Sequence, residues 1–426
     1  MERTSSTYQA YLRVLERELV PALGCTEPIA IAYCSAKAKS VLGAEPDRVL
    51  VAASGNIIKN VKSVIVPNTN GRKGIAAAAA IGIVAGDESR GLEVIASVSE
   101  DTEERLAAFL ADTEIKTVAA ESDYPLDITV TLWRGGSSAC VRVACEHTNV
   151  VLIRRNEDVL FEKEVMEPCA GNGTPDNAFL SMEEIYNFAD TADLSDVREL
   201  IGLQIRYNTA IAEEGLRGDY GANIGRMLLR SDNSVRTRAK ALAAAGSDAR
   251  MNGCSLPVVI NSGSGNQGLT ASLPVIAYAQ EQGSSEERLY RALLLSNLVT
   301  LHEKAGIGRL SAYCGAVSAG AGACAGIAYL LGGDYQAVIH TVVNALAISS
   351  GIVCDGAKSS CAGKIALAVE AGLMGYEMYL NGRQFYGGDG IIRKGVENTL
   401  QNISRLGKVG MRETDREIIR MMVEES

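Results

Sequence analysis

Three cysteines in the second half of the chain, Cys314, Cys354 and Cys361, each stand next to or two residues before a glycine, at an expected loop or helix end. Iron–sulfur clusters are bound by thiolates, and glycine lets backbone N–H groups approach an anionic cluster closely. Three protein thiolates would leave one iron open, the free position that a Lewis-acid mechanism needs. The other use of such residues is core packing, because free cysteine is among the most buried of side chains. Cys34, Cys140, Cys145 and Cys324, with small or apolar neighbours, are read as core thiols of that kind. No CxxC pair occurs, which excludes zinc-finger and ferredoxin spacings. Two residues are candidates for proton transfer. Cys25, in GCTEPIA, sits at a helix break, where a following helix start lowers a thiol pKa; Glu27 could orient it or cap the helix. His302, in LHEKAG, is one of three histidines and could act as a base or as a buried structural residue.

The tripeptide Ser-Gly-Asn occurs twice, at 54–56 and 264–266. A glycine-rich turn presents several N–H donors to one carboxylate, and Ser and Asn add side-chain donors. Ser54, Asn56, Ser262, Gly263, Ser264 and Asn266 are therefore the candidate substrate-binding residues, with ordinary turns as the other reading. Such loops resemble the carboxylate loop of one class of pyridoxal-phosphate lyases, which also need a Schiff-base lysine. Lys59, Lys304, Lys358 and Lys364 are present, and nothing singles one out. Gly263, Gly265 and Gly268 satisfy GxGxxG, but Pro274 interrupts and RLYRALLLSNLVTL then reads as another helix where a dinucleotide fold needs a second parallel strand.

The elements that must carry these residues read as an α+β chain. Residues 1–45 form an N-terminal helical segment, broken near Pro21 and Gly24, that packs on the C-terminal domain. Residues 46–170 form a smaller α/β lobe, with VLVAASGNIIKNVKSVIVP as short β-rich pieces. LEVIASVS, IKTVAAES, DITVTLWRG, SACVRVAC, NVVLIRR and VLFEKEV follow as strands. Residues 171–426 form a mainly helical catalytic and cluster-binding domain, entered through a linker at 171–178. The uncharged runs Ser311–Gly333 and Tyr335–Cys354 are long enough to span a bilayer, but their Ala, Gly, Ser, Gln and Asn content fits buried helices better. A net charge of −10 over 426 residues gives no footing for nucleic acid. The polar amino terminus shows no secretory signal, so a reducing cytoplasm is expected for the ten cysteines. A homodimer is the default assembly.

Taken together, GCTEPIA, SGNIIKN, CSLPVVINSGSGNQG, HEKAGIGRLSAYCGA and GIVCDGAKSSCAGKIA resemble the L-cysteine desulfidases, a family related to the iron–sulfur L-serine dehydratase α chain. The resemblance runs from Gly24 to beyond Lys364. It implies a [4Fe-4S] cluster and no pyridoxal phosphate, with ligands at Cys314, Cys354 and the nearby downstream Cys361. Cys25 is either a further ligand or, as assigned here, an acid–base or sulfur-handling group beside the substrate. The implied reaction removes sulfide from L-cysteine by α-proton abstraction and β-elimination. L-serine as substrate, a pyridoxal-phosphate lyase and a non-catalytic cluster or thiol sensor are the alternatives.

Overall fold

The computed structural model describes residues 1–165, 177 and 179–424. Helix α1 (Ser6–Glu18) starts where the Ser5 hydroxyl accepts the Tyr8 N–H, and strand β1 (Pro21–Leu23) follows. Helix α2 (Thr26–Leu42) is ended by Gly43 at φ 77°, a left-handed cap. Strand β2 (Arg48–Ala53) then leads into α3 (Gly55–Val61), α4 (Gly74–Ala85) and α5 (Thr102–Asp112). Strands β3 (Glu114–Ala119), β4 (Asp127–Arg134), β5 (Ser137–Ala144), β6 (Val150–Arg155) and β7 (Asp158–Glu162) complete the first half.

The six-stranded sheet has the order β3-β2-β4-β5-β6-β7, with β2 and β3 parallel and every other pair antiparallel. Alternating residues Ile128, Val130 and Leu132 of β4, with Val141 and Val143 of β5, are fully buried. They pack under α2, which is buried from Thr26 to Ala36 and leans on α4 as well. Helix α1 goes the other way: Tyr11 stacks on Phe188 of α6 (Met182–Thr191) with ring centres 5.0 Å apart, and Tyr8 meets the same ring tilted, at 5.1 Å.

The remaining elements are α7 (Arg198–Arg217), α8 (Ile224–Ser231), α9 (Val235–Met251), β8 (Pro257–Val259), α10 (Gly265–Gln282) and α11 (Glu286–Ile307). After them come α12 (Gly315–Leu330), α13 (Tyr335–Ser349), α14 (Cys361–Leu380), α15 (Val396–Arg405) and α16 (Arg412–Glu424). Helix α12 is the axis of this half. It touches α10, α11, α13 and α14 and is buried at every residue from Ala316 to Leu330. Its small residues permit this crowding: a Cβ on Gly320 would stand 2.7 Å from the Ala368 carbonyl carbon, and one on Gly326 2.7 Å from the Ala292 carbonyl oxygen. The uncharged run around it is thus helix packing, and among the described residues no helix is long and apolar enough to cross a membrane.

The α+β class, mostly helical with a smaller sheet lobe, matches the sequence reading. Several local readings do not. LEVIASVS is no strand; Gly91 at φ 55° breaks the chain there, and Leu92, Val94 and Ile95 are buried around a 3-10 turn at Glu88–Glu93. The stretch SGNIIKN is the start of helix α3, not a β piece. Pro274 does not interrupt; it lies inside α10, where packing against α9, α11 and α12 outweighs the lost backbone bond. Strand β1 pairs antiparallel with β8, a three-residue pairing that no periodicity announces. Cys34, Cys140 and Cys324 are buried free thiols, but Cys145 is disulfide-bonded. Asn177 apart, the expected linker at 171–178 lies outside the described residues.

Candidate active site

Four helices begin at one small cavity. Cys25 is the N-cap of α2, Ser264 of α10 and Cys314 of α12, while Cys361 is the first residue of α14. Residues from the first turn of all four helices line a cavity of about 100 Å³. Each N-terminus carries unsatisfied N–H groups and a partial positive charge, so the cavity favours an anion.

Cys314, Cys354 and Cys361 all line it. The first two are joined by an antiparallel bridge between Tyr313 and Val353, with Cys354 N–H donating to the Ala312 carbonyl at 2.7 Å and Cys314 N–H to that of Ile352 at 3.2 Å. Cys361 Sγ donates to the Gly356 carbonyl at 3.7 Å. Gly356 is at φ 93°, and a Cβ there would meet the Lys59 carbonyl at 2.4 Å, so only glycine serves this turn. Burial, and then the neighbouring Cys354, push the Cys314 thiol up to about 12; burial also raises Cys361. Cationic iron would overcome that penalty by binding the thiolates. Among the described residues no group of three or more His, Cys, Asp or Glu side chains is arranged to hold a metal ion. The fit to a cluster therefore rests on the all-sulfur donor set and on the ring of helix N-termini.

Cys25 faces the same space, in a small apolar cluster with Val64, Met251, Ala357 and Cys361. Its thiol donates to Glu27 Oε2 at 3.0 Å, and the buried carboxylate also accepts from Thr26 Oγ1 (3.1 Å) and Asn60 Nδ2 (3.2 Å). Burial and then the Glu27 charge raise Cys25 well above the usual thiol range. Burial would raise Glu27 too, but the facing His147, the Cys25 S–H and Arg250 together pull it down to about 2. His147 Nε2 lies 3.9 Å from Glu27 Oε1, a contact too long for a hydrogen bond, so its influence is electrostatic.

The sequence reading missed four residues of this wall. Arg250, His147, Gln267 and Asn60 all line the cavity and are buried. Arg250 ends α9; Nη1 donates to Asn266 Oδ1 at 3.1 Å, whereas Nε and Nη2 have no partner. His147 Nε2 and Gln267 Oε1 are likewise unpartnered. A usable signal existed for Arg250, a cation near the end of the run of small residues ALAAAGSDAR. Nothing near His147 marks it out.

Of the predicted substrate loop, Gly263, Ser264 and Asn266 line this cavity. Ser262, Ser54 and Asn56 line a larger one of about 470 Å³ next to it. Lys304, Arg309, Leu310 and Ser311 belong to both walls. Arg309 is held at the divide by Glu18 at 2.9 Å and Glu146 at 3.3 Å. Burial draws Lys304 down to about 8. His302 lines neither cavity: Nε2 lies 2.8 Å from Glu397 Oε2, and Glu397 Oε1 also caps the Met182 N–H. Two residues along α11 from Lys304 is a turn of about 200°, which puts His302 on the opposite face.

A thiol-lined cavity at the meeting of helix N-termini defines a class of small-anion or cluster sites. Residues 89–420 match the serine dehydratase alpha chain family, and the chain belongs to it. That family suggests a lyase-type enzyme. A UPF0597 protein of Desulfitobacterium hafniense is 57% identical over 424 residues, covering 99% of this chain and 98% of its own. UPF0597 proteins of Lachnoclostridium phytofermentans and Treponema denticola are 49% and 44% identical, each covering at least 98% of both chains. The matched family region contains Arg250, the loop at 262–266 and all three cavity cysteines of the second half; Cys25 and the loop at 54–56 lie before it.

Proposed function

We propose that this chain is an iron–sulfur-dependent lyase that removes a β-substituent from a small amino acid, with L-cysteine as substrate and pyruvate, ammonia and sulfide as products. The observation that carries the reading is the convergence of Cys314, Cys354 and Cys361 on one small cavity ringed by four helix N-termini. A [4Fe-4S] cluster held by those three thiolates would supply an electrophilic iron with one position free of protein.

The chain's own groups supply the rest. The Ser264–Asn266 turn and the α10 N-terminus offer donors to the substrate carboxylate. Cys25 and Glu27 form a hydrogen-bonded pair in which both shifts keep the proton on sulfur: the thiol stays neutral and the carboxylate beside it stays charged. Cys25, held protonated, is accordingly the proton donor of the site, and Lys304, drawn down to about 8 by burial, is the candidate base on the cavity wall. His302 is not carried into this mechanism, because Glu397 holds it away from the cavity. Proton removal from Cα and departure of the β-group leave aminoacrylate, which tautomerises and hydrolyses to pyruvate and ammonia.

The family match favours a second reading, the same elimination with the hydroxyl of L-serine as leaving group. Anaerobic purification, iron and sulfide analysis, and addition of each amino acid separate the two. Sulfide with pyruvate from L-cysteine supports the first reading, and pyruvate from L-serine alone supports the second. An iron-loaded protein that forms no pyruvate from either would overturn both.

A further inference from the structure

A guanidinium buried beside a cavity with half of its donors idle is costly unless something binds there. Arg250 is 2% exposed and forms no ion pair among the described residues, and its Nε and Nη2 have no hydrogen-bond partner. Glu27, whose charge Arg250 helps to hold, is itself occupied by Cys25, Thr26 and Asn60. Asn266 fixes the group through Nη1 at 3.1 Å, leaving the Nε–Nη2 edge as a two-pronged donor. Gly265 keeps the space for it: a Cβ there would stand 2.2 Å from Nε. The α10 N-terminus adds backbone donors to the same cavity, and Gln267 Oε1 offers an acceptor without a partner among the described residues.

We propose that Arg250 is the anchor for the substrate's α-carboxylate, gripping both oxygens through Nε and Nη2 and making the site specific for short α-amino acids. The existence of this carboxylate site follows from the idle donors; its use for a lyase substrate rests on the reading above. The cavity is small, about 100 Å³, which favours a short amino acid over a long one.

Calorimetric binding of L-alanine, which has no β-leaving group, tests the anchor apart from turnover, with ethylamine as the probe lacking a carboxylate. The wild type should bind L-alanine and not ethylamine. Arg250→Gln should weaken L-alanine by on the order of 100-fold, two charge-assisted bonds being lost. Arg250→Lys, which keeps the charge without the fork, should fall between. In iron-loaded protein, Arg250→Gln should keep its iron content and absorption while KM rises more than kcat falls. L-alanine binding to Arg250→Gln within threefold of wild type, or equal binding of ethylamine and L-alanine by wild type, would overturn the proposal. A protein that loses L-alanine binding on this substitution yet forms no pyruvate in any state would sink the lyase reading and leave the anchor standing.

Discussion

The two Ser-Gly-Asn tripeptides have the same letters and the same local shape, yet only one lies at the thiol cavity. Both open a helix, with Ser54 the N-cap of α3 and Ser264 that of α10. At the first, the side-chain donors are already engaged, although Asn56 Oδ1 has no partner among the described residues. Ser54 Oγ donates to the Pro125 carbonyl at 2.8 Å and accepts the Asp127 N–H, while Asn56 Nδ2 donates to Asp415 at 3.0 Å. Helix α16 lies over it, with Lys59 paired to Asp415 at 2.6 Å and Ile419 against Gly55. At the second, the Ser264 side chain makes no cap bond and Asn266 steadies a guanidinium whose other donors are idle. A local motif therefore shows where donors exist; what covers them determines whether they remain available to a ligand.

Substitutions can break this contrast, beginning with the one of largest effect. Cys314→Ser should abolish amino-acid turnover and cut the bound iron measured after anaerobic loading, since the hydroxyl is a poor iron ligand. Retention of full iron and activity would remove the thiol trio from the inner site. Gly265→Ala should reduce kcat/KM by on the order of 10²-fold by pushing Arg250 aside. The matching change in the other tripeptide, Gly55→Ala, meets only the ends of Ile419 at 3.1 Å and should change kcat/KM by less than about twofold. Equal effects would erase the distinction between the loops.

The acids around each loop give smaller effects of opposite kinds. Asp415→Asn should destabilise the protein by about 3 kcal/mol in chemical denaturation, because buried Lys59 loses its counterion. Its iron content should not change. Asp248, on the helix that carries Arg250, accepts the Gly225 N–H at 3.3 Å, and its Oδ1 has no partner among the described residues. Burial raises its pKa from 3.8 to about 6. A carboxyl raised in the folded state stabilises fully below its unfolded value, and that contribution is lost as pH rises through about 6. Asp248→Asn should therefore raise Tm at pH 7.5 and do little at pH 4; a Tm gain that is equal at both values would remove this carboxyl from the account.

Much of the site was legible in the sequence, because glycine beside cysteine and N-cap residues before apolar runs report local geometry. Cys25, Ser264, Cys314, Cys354 and Cys361 could be picked out that way, and the helical second half followed from its apolar periodicity. The misreadings share one cause. His302 and Lys304 are two residues apart, and only the packing of α11 shows which of them faces the cavity. Arg250 and His147 come to the site from the end of one helix and from a turn after β5, and no spacing encodes that meeting. Pro274 reads as a breaker because propensity is local, whereas the neighbours of α10 are not.

The four helix starts at the cavity lie at positions 25, 264, 314 and 361. Bringing them together closes one loop of 239 residues and two of about 50, an entropy cost met only once both halves of the chain have formed. The cavity is therefore a late product of folding, and no fragment ending before Cys361 contains it whole. For the proposed cluster this would place loading late, after Cys361 and the helix it opens have been made.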